Sequence, residues 1–184
     1  YRPIRTALFV PGNRPERVDK AVNAGADAVI IDLEDAVPMT LKQEVRPLVR
    51  DKVLQHKDRC IMVRVNAADT EFFQDDLDGV VVTGLTAIIV PKVEAGDDIR
   101  KINERLLETE KKNGLDRGAI AIIPLIETAK AVQNIYEIVS VKTEPDRMWT
   151  VAFGAADYTL TMGIEMTADA AELNSNPPKR EMDQ

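Results

Sequence analysis

With 184 residues, 45% of them hydrophobic and 30% charged, the chain carries enough apolar mass to bury a core as one domain. Its net charge of −7 argues against non-specific binding to nucleic acid or to an anionic membrane, and no apolar run reaches the roughly 18 residues of a membrane span. A single cysteine (Cys60) and a single histidine (His56) exclude an internal disulfide and an ordinary zinc site, so any metal must be held by oxygens.

The first predicted strand is Thr6–Val10, followed by a helix over Arg14–Ala24. Residues 1–20 carry Arg2, Arg5, Arg14, Arg17 and Lys20 against Glu16 and Asp19, a local +3 that fits either a solvated helix face or an anion site. Next come a strand at Asp27–Ile31, a helix over Leu41–Lys57, a strand at Ile61–Val65 and a shorter helix around Phe72–Val82. Strand Ala87–Val90 leads into helix Ala95–Asn113, which Gly114 closes as a C-cap. Strand Ala119–Ile126, helix Thr128–Val139 and strand Met148–Phe153 complete the series.

Most of these strands are continuous apolar runs, the mark of parallel strands buried on both faces, and the repeating unit is βα. No GxGxxG or GxxxxGK follows the first strand, which tilts the choice from an open nucleotide-binding sheet toward a TIM (β/α)8 barrel. About six of the eight units are represented, in a domain of residues 1–173. Residues 174–184 turn polar around Pro177-Pro178, and Tyr1 stands where an initiator Met would, so the chain is expected to be incomplete at its C-terminal side and trimmed at its start. With no span and no leader near Tyr1, a cytoplasmic protein is expected.

A barrel gathers the C-terminal ends of its strands on one rim, and polar residues recur there: Asp32-Leu33-Glu34-Asp35, Arg64-Val65-Asn66, Glu127 and Asp157. Each has an ordinary alternative. Glu127 suits the first turn of a helix and Asp157 an N-cap. Asp32 sits in an apolar strand, where an unpaired charge is costly, so at least one of Asp32, Glu34 and Asp35 should have a partner. Period-two alternation turns Val63 and Val65 toward the helices and Arg64 and Asn66 into the barrel mouth, where Arg64 needs an anion. His56 on a helix is read as a surface or packing residue, and Cys60, opening a strand, as a small core residue. Carboxylates without His or Cys suit a hard cation, and two of them leave most of an octahedral shell for water and substrate oxygens, as Mg²⁺ prefers.

Six motifs carry a specific resemblance: Leu8-Phe9-Val10-Pro11-Gly12-Asn13, Asp32-Leu33-Glu34-Asp35-Ala36-Val37, Val63-Arg64-Val65-Asn66, Pro91-Lys92-Val93-Glu94, Ile126-Glu127-Thr128 and Phe153-Gly154-Ala155-Ala156-Asp157. In this order they resemble the citrate lyase beta subunit family, a member of the wider group of malyl-CoA, citramalyl-CoA and citryl-CoA lyases and related pyruvate aldolases. The resemblance implies a TIM barrel assembled as a homotrimer or hexamer, alone or with other lyase subunits. It implies Mg²⁺ on Glu127 and Asp157, substrate binding by Arg64, and Glu34 with Asp35 as an acidic pair that orients Arg64 and the waters of the metal. It places Arg14 and Lys20 near the phosphates of a CoA thioester. After Glu172-Leu173 the sequence departs from the family pattern, since Pro177-Pro178 could not sustain the next helix.

The implied reaction is retro-Claisen cleavage of a short hydroxyacyl-CoA (citryl, malyl or citramalyl type) to acetyl-CoA and a 2-oxo acid. The rivals are a metal-dependent pyruvate-type aldolase without CoA and a non-catalytic scaffold subunit. No residue in the chain is a convincing general base near pH 7. In the family an acidic residue from a neighbouring subunit's C-terminal segment serves this site, so residues 1–184 alone are expected to be inactive.

Overall fold

A computed structural model describes residues 3–164. Six strands form one parallel sheet: β1 (Ala7–Pro11), β2 (Ala28–Asp32), β3 (Ile61–Arg64), β4 (Leu85–Val90), β5 (Ala121–Ile126) and β6 (Ala152–Phe153). Their order in the sheet is their order in the chain, each pairing with the next in parallel. With sequential order throughout, the right-handed crossovers that βαβ units follow as a rule would set the helices on one face, and the strand order never reverses as it does in a doubly wound sheet. The expected βα alternation and all six strands are present, with ends moved by a residue or two except in the last, where Met148 makes only an isolated bridge to Ile122 and the regular strand starts at Ala152.

The helices are α1 (Pro15–Asn23), α2 (Lys42–Gln55), α3 (Phe72–Val80), α4 (Gly96–Lys112), α5 (Ala129–Gln133), α6 (Ile135–Ser140) and α7 (Ala155–Thr161). Pro15 at the first helical position presets φ for α1. In α4, Asp98 accepts hydrogen bonds from the Glu94 and Ala95 amides at 2.9 and 3.0 Å, and Gly114 (φ 70°) ends it while the Leu115 amide reaches back to the Glu110 carbonyl at 2.9 Å. The single helix expected over Thr128–Val139 is broken at Asn134, whose side-chain amide donates to the Glu94 carbonyl at 2.9 Å.

Alternation divides the sheet between two cores. Val29, Ile31, Ile61, Val63, Ile88, Val90, Ile122 and Ile126 pack outward against the helices, while Ala28, Ile30, Met62, Ala87, Ile89, Ile123 and Leu125 form a separate inner cluster. The edge strands leave Phe9 55% and Phe153 59% exposed. His56 bonds Asp19 at 2.8 Å on the outer layer, and half-buried Cys60 packs on the inner cluster. Among the described residues no helix is long and apolar enough to cross a membrane. The expected polar tail, 174–184, lies outside the described residues.

Candidate active site

The inner face, followed toward the C-terminal ends of the strands, changes from apolar to charged. Ala28 and Ile30 are followed at the next inward position by Asp32, Met62 by Arg64, and Ile123 and Leu125 by Glu127, one residue past β5. Three strands therefore deliver ionisable side chains to one mouth.

Asp32 is buried and fully engaged. Its carboxylate takes a two-pronged contact from Arg64, Nε at 2.7 Å and Nη2 at 2.6 Å, and also caps the Glu34 and Ala36 amides at 2.9 and 3.0 Å. The partner that the apolar strand demanded is thus Arg64. Arg64 Nη1 lies 3.2 Å from Asp35, and the guanidinium stacks 5.4 Å from the centre of the Phe9 ring. Nη1 is also 3.1 Å from Glu34 Oε2, but off the hydrogen-bonding direction, so this buried oxygen has a charge beside it and no hydrogen bond.

Glu127 is 1% exposed, and its neighbours rather than a helix end account for it. The cap of α5 is Thr128, which accepts from the Ala131 amide at 3.0 Å, so Glu127 stands before the helix and not in its first turn. Its Oε1 accepts from the Lys92 amide at 3.0 Å, and Asp157 lies close enough to share a hydrogen bond with it. Asp157 is in the first turn of α7 and does not cap it; Gly154 holds that position. A Cβ on Gly154 would come within 2.7 Å of Glu127 Cβ and 2.8 Å of its Oε2, so only glycine lets α7 approach this closely. Burial pushes the Glu127 carboxyl up to about 7; Asp157 adds to the rise, against the Lys92 amide and Arg64. Burial likewise raises Glu34 to about 7, with Arg64 and Lys92 opposing and Asp35 and Glu127 reinforcing.

Asn66 does not face the mouth. β3 ends at Arg64, alternation stops there, and the Asn66 side chain bonds Asp76 of α3 at 2.6 Å and the Leu33 carbonyl at 3.2 Å. Two lysines escaped the sequence reading. Lys42, first in α2, is buried with its ammonium on the Leu33 and Glu34 carbonyls at 2.8 and 3.0 Å, which pins the acidic loop from behind. Lys92 adopts a left-handed backbone (φ 55°) and sends its amide to Glu127. The Pro91-Lys92-Val93-Glu94 motif was its only signal. Arg14 and Lys20 are not drawn into the cluster: Arg14 directly precedes α1, Lys20 lies in its last turn, and both are exposed.

Asp32, Glu34, Asp35, Arg64, Glu127 and Asp157 therefore come together at the strand ends. Among the described residues no group of three or more His, Cys, Asp or Glu is arranged as metal ligands, so the candidate cation site is the Glu127–Asp157 pair. The donor set fits a hard cation: two carboxyls pressed together, a third with an unbonded buried oxygen, and no nitrogen or sulfur.

The family described as HpcH/HpaI aldolase/citrate lyase matches residues 5–180. A citrate lyase subunit beta from Leuconostoc mesenteroides subsp. cremoris is 35% identical over 171 residues, covering 92% of this chain and 56% of the relative. An L-malyl-CoA/beta-methylmalyl-CoA lyase from Cereibacter sphaeroides is 30% identical over 171 residues, covering 90% and 52%. The chain thus spans little more than half the length of these relatives. Among solved structures, the citrate lyase beta subunit of Mycobacterium tuberculosis with oxaloacetate and magnesium is 32% identical with a TM-score of 0.70, covering 89% of this chain and 65% of that one. Protein CitE of M. tuberculosis with magnesium, acetoacetate and coenzyme A is 31% identical with a TM-score of 0.71, covering 95% and 61%.

Proposed function

The chain belongs to the HpcH/HpaI aldolase/citrate lyase family, and from that premise we propose that it carries the active site of an Mg²⁺-dependent carbon–carbon lyase acting on a short hydroxyacyl-CoA. The observation that carries this reading is the excess of acid at the strand ends: Glu127 against Asp157, with Glu34 beside them holding an unbonded buried oxygen. Relatives named as citrate lyase beta subunit and malyl-CoA lyase, and solved relatives holding magnesium with oxaloacetate or with coenzyme A, support the same chemistry. We read the six strands as six of the eight units of a TIM barrel, since both edge strands expose large apolar side chains that further units would cover. A trimer or hexamer is the assembly that fits the resemblance.

Glu127 and Asp157 would hold Mg²⁺, and the ion would supply positive charge to the substrate hydroxyl and carboxylate. The residues of the chain do the rest. Asp32 locks Arg64 in one orientation, and Arg64 keeps Glu34 and Asp35 directed at the site while lending positive charge to the reacting face. Glu34, which the sequence alone passes over as a general base, has its pKa raised by burial to about 7 and can hold or release a proton close to the hydroxyl. Cleavage removes the hydroxyl proton and breaks the carbon–carbon bond, its electron pair going to the acetyl-CoA side and leaving a 2-oxo acid. Arg14, directly before α1, and Arg17 and Lys20 on its exposed face are cations available to CoA phosphates.

The test offers the intact protein citryl-, malyl- and citramalyl-CoA with Mg²⁺ and assays the released oxo acid. Turnover that needs Mg²⁺ and a CoA ester is expected. Cleavage of a free hydroxy oxo acid with no CoA ester cleaved identifies the aldolase instead, and Mg²⁺ binding without any turnover identifies a scaffold.

A further inference from the structure

Lysine is almost never fully buried without a carboxylate partner, yet Lys42 is 4% exposed and spends its ammonium on two backbone carbonyls, Leu33 at 2.8 Å and Glu34 at 3.0 Å. The Phe72 ring covers it from 5.7 Å. Burial pulls its pKa below the ordinary lysine value, while Asp76 and then Asp32, Glu34 and Asp35 favour the charged form. An apolar side chain would occupy the same space without burying a charge, so packing alone does not account for a lysine here.

The Leu33 carbonyl that Lys42 holds and the Glu34 amide belong to one peptide unit. In a trans peptide these two groups point in opposite directions, so drawing the carbonyl back toward Lys42 aims the amide forward. Forward of it stands Asp32, whose Oδ1 accepts that amide at 2.9 Å and, at the same atom, Arg64 Nε at 2.7 Å. A continuous path thus runs from the Lys42 ammonium through one peptide unit and one carboxylate oxygen to the guanidinium, and hydrogen bonds in such a chain polarise one another. The rear of the path is braced independently: Asn66 Nδ2 also donates to the Leu33 carbonyl at 3.2 Å, and Asn66 is held at 2.6 Å by Asp76, which Arg46 Nε grips at 2.8 Å. Without the ammonium, one buried carbonyl keeps only the longer Asn66 bond, and the peptide that caps Asp32 is free to turn.

Resting on the lyase reading, in which Arg64 meets the substrate, we propose that Lys42 is a positioning residue for substrate binding, fixing through the Leu33–Glu34 peptide and Asp32 the orientation in which Arg64 is presented at the mouth. Calorimetric titration of the intact, Mg²⁺-loaded protein with oxaloacetate as the oxo-acid probe separates this role from a purely structural one. Lys42→Met should bind oxaloacetate about tenfold to hundredfold more weakly, the usual cost of removing a residue that orients a ligand-binding group from behind. Lys42→Gln, which keeps a neutral donor for the carbonyls, should lose less. Both should retain their affinity for Mg²⁺ alone, since Lys42 touches neither Glu127 nor Asp157. Combining Lys42→Met with Arg64→Lys should weaken oxaloacetate no further than the worse single change, because both act on the same clamp. Arg147→Met, which strips a buried cation from the other end of the sheet, should keep its oxaloacetate affinity in the protein that folds. Wild-type oxaloacetate affinity in Lys42→Met overturns the inference, as do additive losses in the double variant, a parallel loss of Mg²⁺, or an equal loss in Arg147→Met. If Lys42→Met does not fold, Lys42→Gln decides by the same measurement, and failure of both to fold makes Lys42 a structural residue and overturns the inference as well. Wild-type protein that fails to bind Mg²⁺ or oxaloacetate overturns the lyase reading itself.

Discussion

An arginine meets carboxylate at each end of the sheet, and the two settings differ in charge balance. Near the N-terminal ends of the strands, Arg147 and Glu110 pair one to one at 2.8 and 3.0 Å, both side chains 1% exposed. Glu110 also accepts from the Gly118 and Ile120 amides at 2.9 and 3.0 Å, and Arg147 donates to the Ile120 carbonyl; only Arg147 Nε lacks a partner. At the C-terminal ends, Asp32, Glu34, Asp35, Glu127 and Asp157 face Arg64 and a loosely placed Lys92. A pair that only holds the fold can be neutral and nearly saturated. A cluster with surplus acid is tolerable when protons or a cation complete it, and this difference is what marks the second as a site.

The sharpest way to break the comparison is to damage each end in turn. Arg147→Met strands a buried Glu110 charge and should cost about 3 to 5 kcal/mol in denaturant unfolding, with Mg²⁺ affinity unchanged in the protein that still folds. A cost under about 1 kcal/mol would deny the pair its structural role. Glu127→Gln and Asp157→Asn should do the reverse. Each removes a proposed ligand charge at nearly constant volume, so Mg²⁺ affinity in calorimetric titration should fall by tenfold or more (about 1.4 kcal/mol or above) while stability holds or rises. Wild-type affinity in both variants would return these residues to a packing role.

Smaller, and more local, is the effect of Arg64→Lys. The charge survives, but the planar fork that grips Asp32 by two bonds is replaced by a single point charge, so Glu34 and Asp35 lose a fixed neighbour. Turnover by the intact protein should drop about tenfold, near 1.4 kcal/mol of transition-state stabilisation. Unchanged kinetics would confine Arg64 to structure.

How far the sequence carried this picture depended on whether a residue obeys its own element or a distant one. The strands were legible because buried parallel strands are continuous apolar runs, and Asp32, Arg64 and Glu127 because alternation continues through the strand ends. Asn66 was misplaced because alternation was extended past β3, whereas its orientation comes from Asp76 on another element. The break at Asn134 has the same origin, a bond to the Glu94 carbonyl 40 residues away in the chain. Lys42 resembled an ordinary surface position at a helix start, and no pattern of residue types announces a lysine with φ of 55°. Charge balance was also invisible, since composition gives a net charge and not which carboxylates share a pocket.

The gentlest test of the comparison is pH. Glu34 and Glu127 both have pKa values raised from 4.5 to about 7, chiefly by burial, so between these values the folded protein binds more protons than the unfolded chain. The stability contribution of such groups is present at low pH and is lost as pH rises toward 7. The metal-free protein should therefore lose part of its unfolding free energy between roughly pH 5 and 7 through these two groups. Mg²⁺ reverses the sign, because ligand carboxylates must shed their protons to bind it. Its apparent affinity should climb with pH by at most about tenfold per unit for each proton released, then level off above about pH 7. Glu127→Gln should flatten both trends. Thermal melts with and without Mg²⁺ across this range, with proton release followed in the same titrations, decide it. A metal-free protein that grows more stable from pH 5 to 7, and a Glu127→Gln variant that leaves this trend unchanged, would show that the acid surplus at the strand ends is not what the folded state works against.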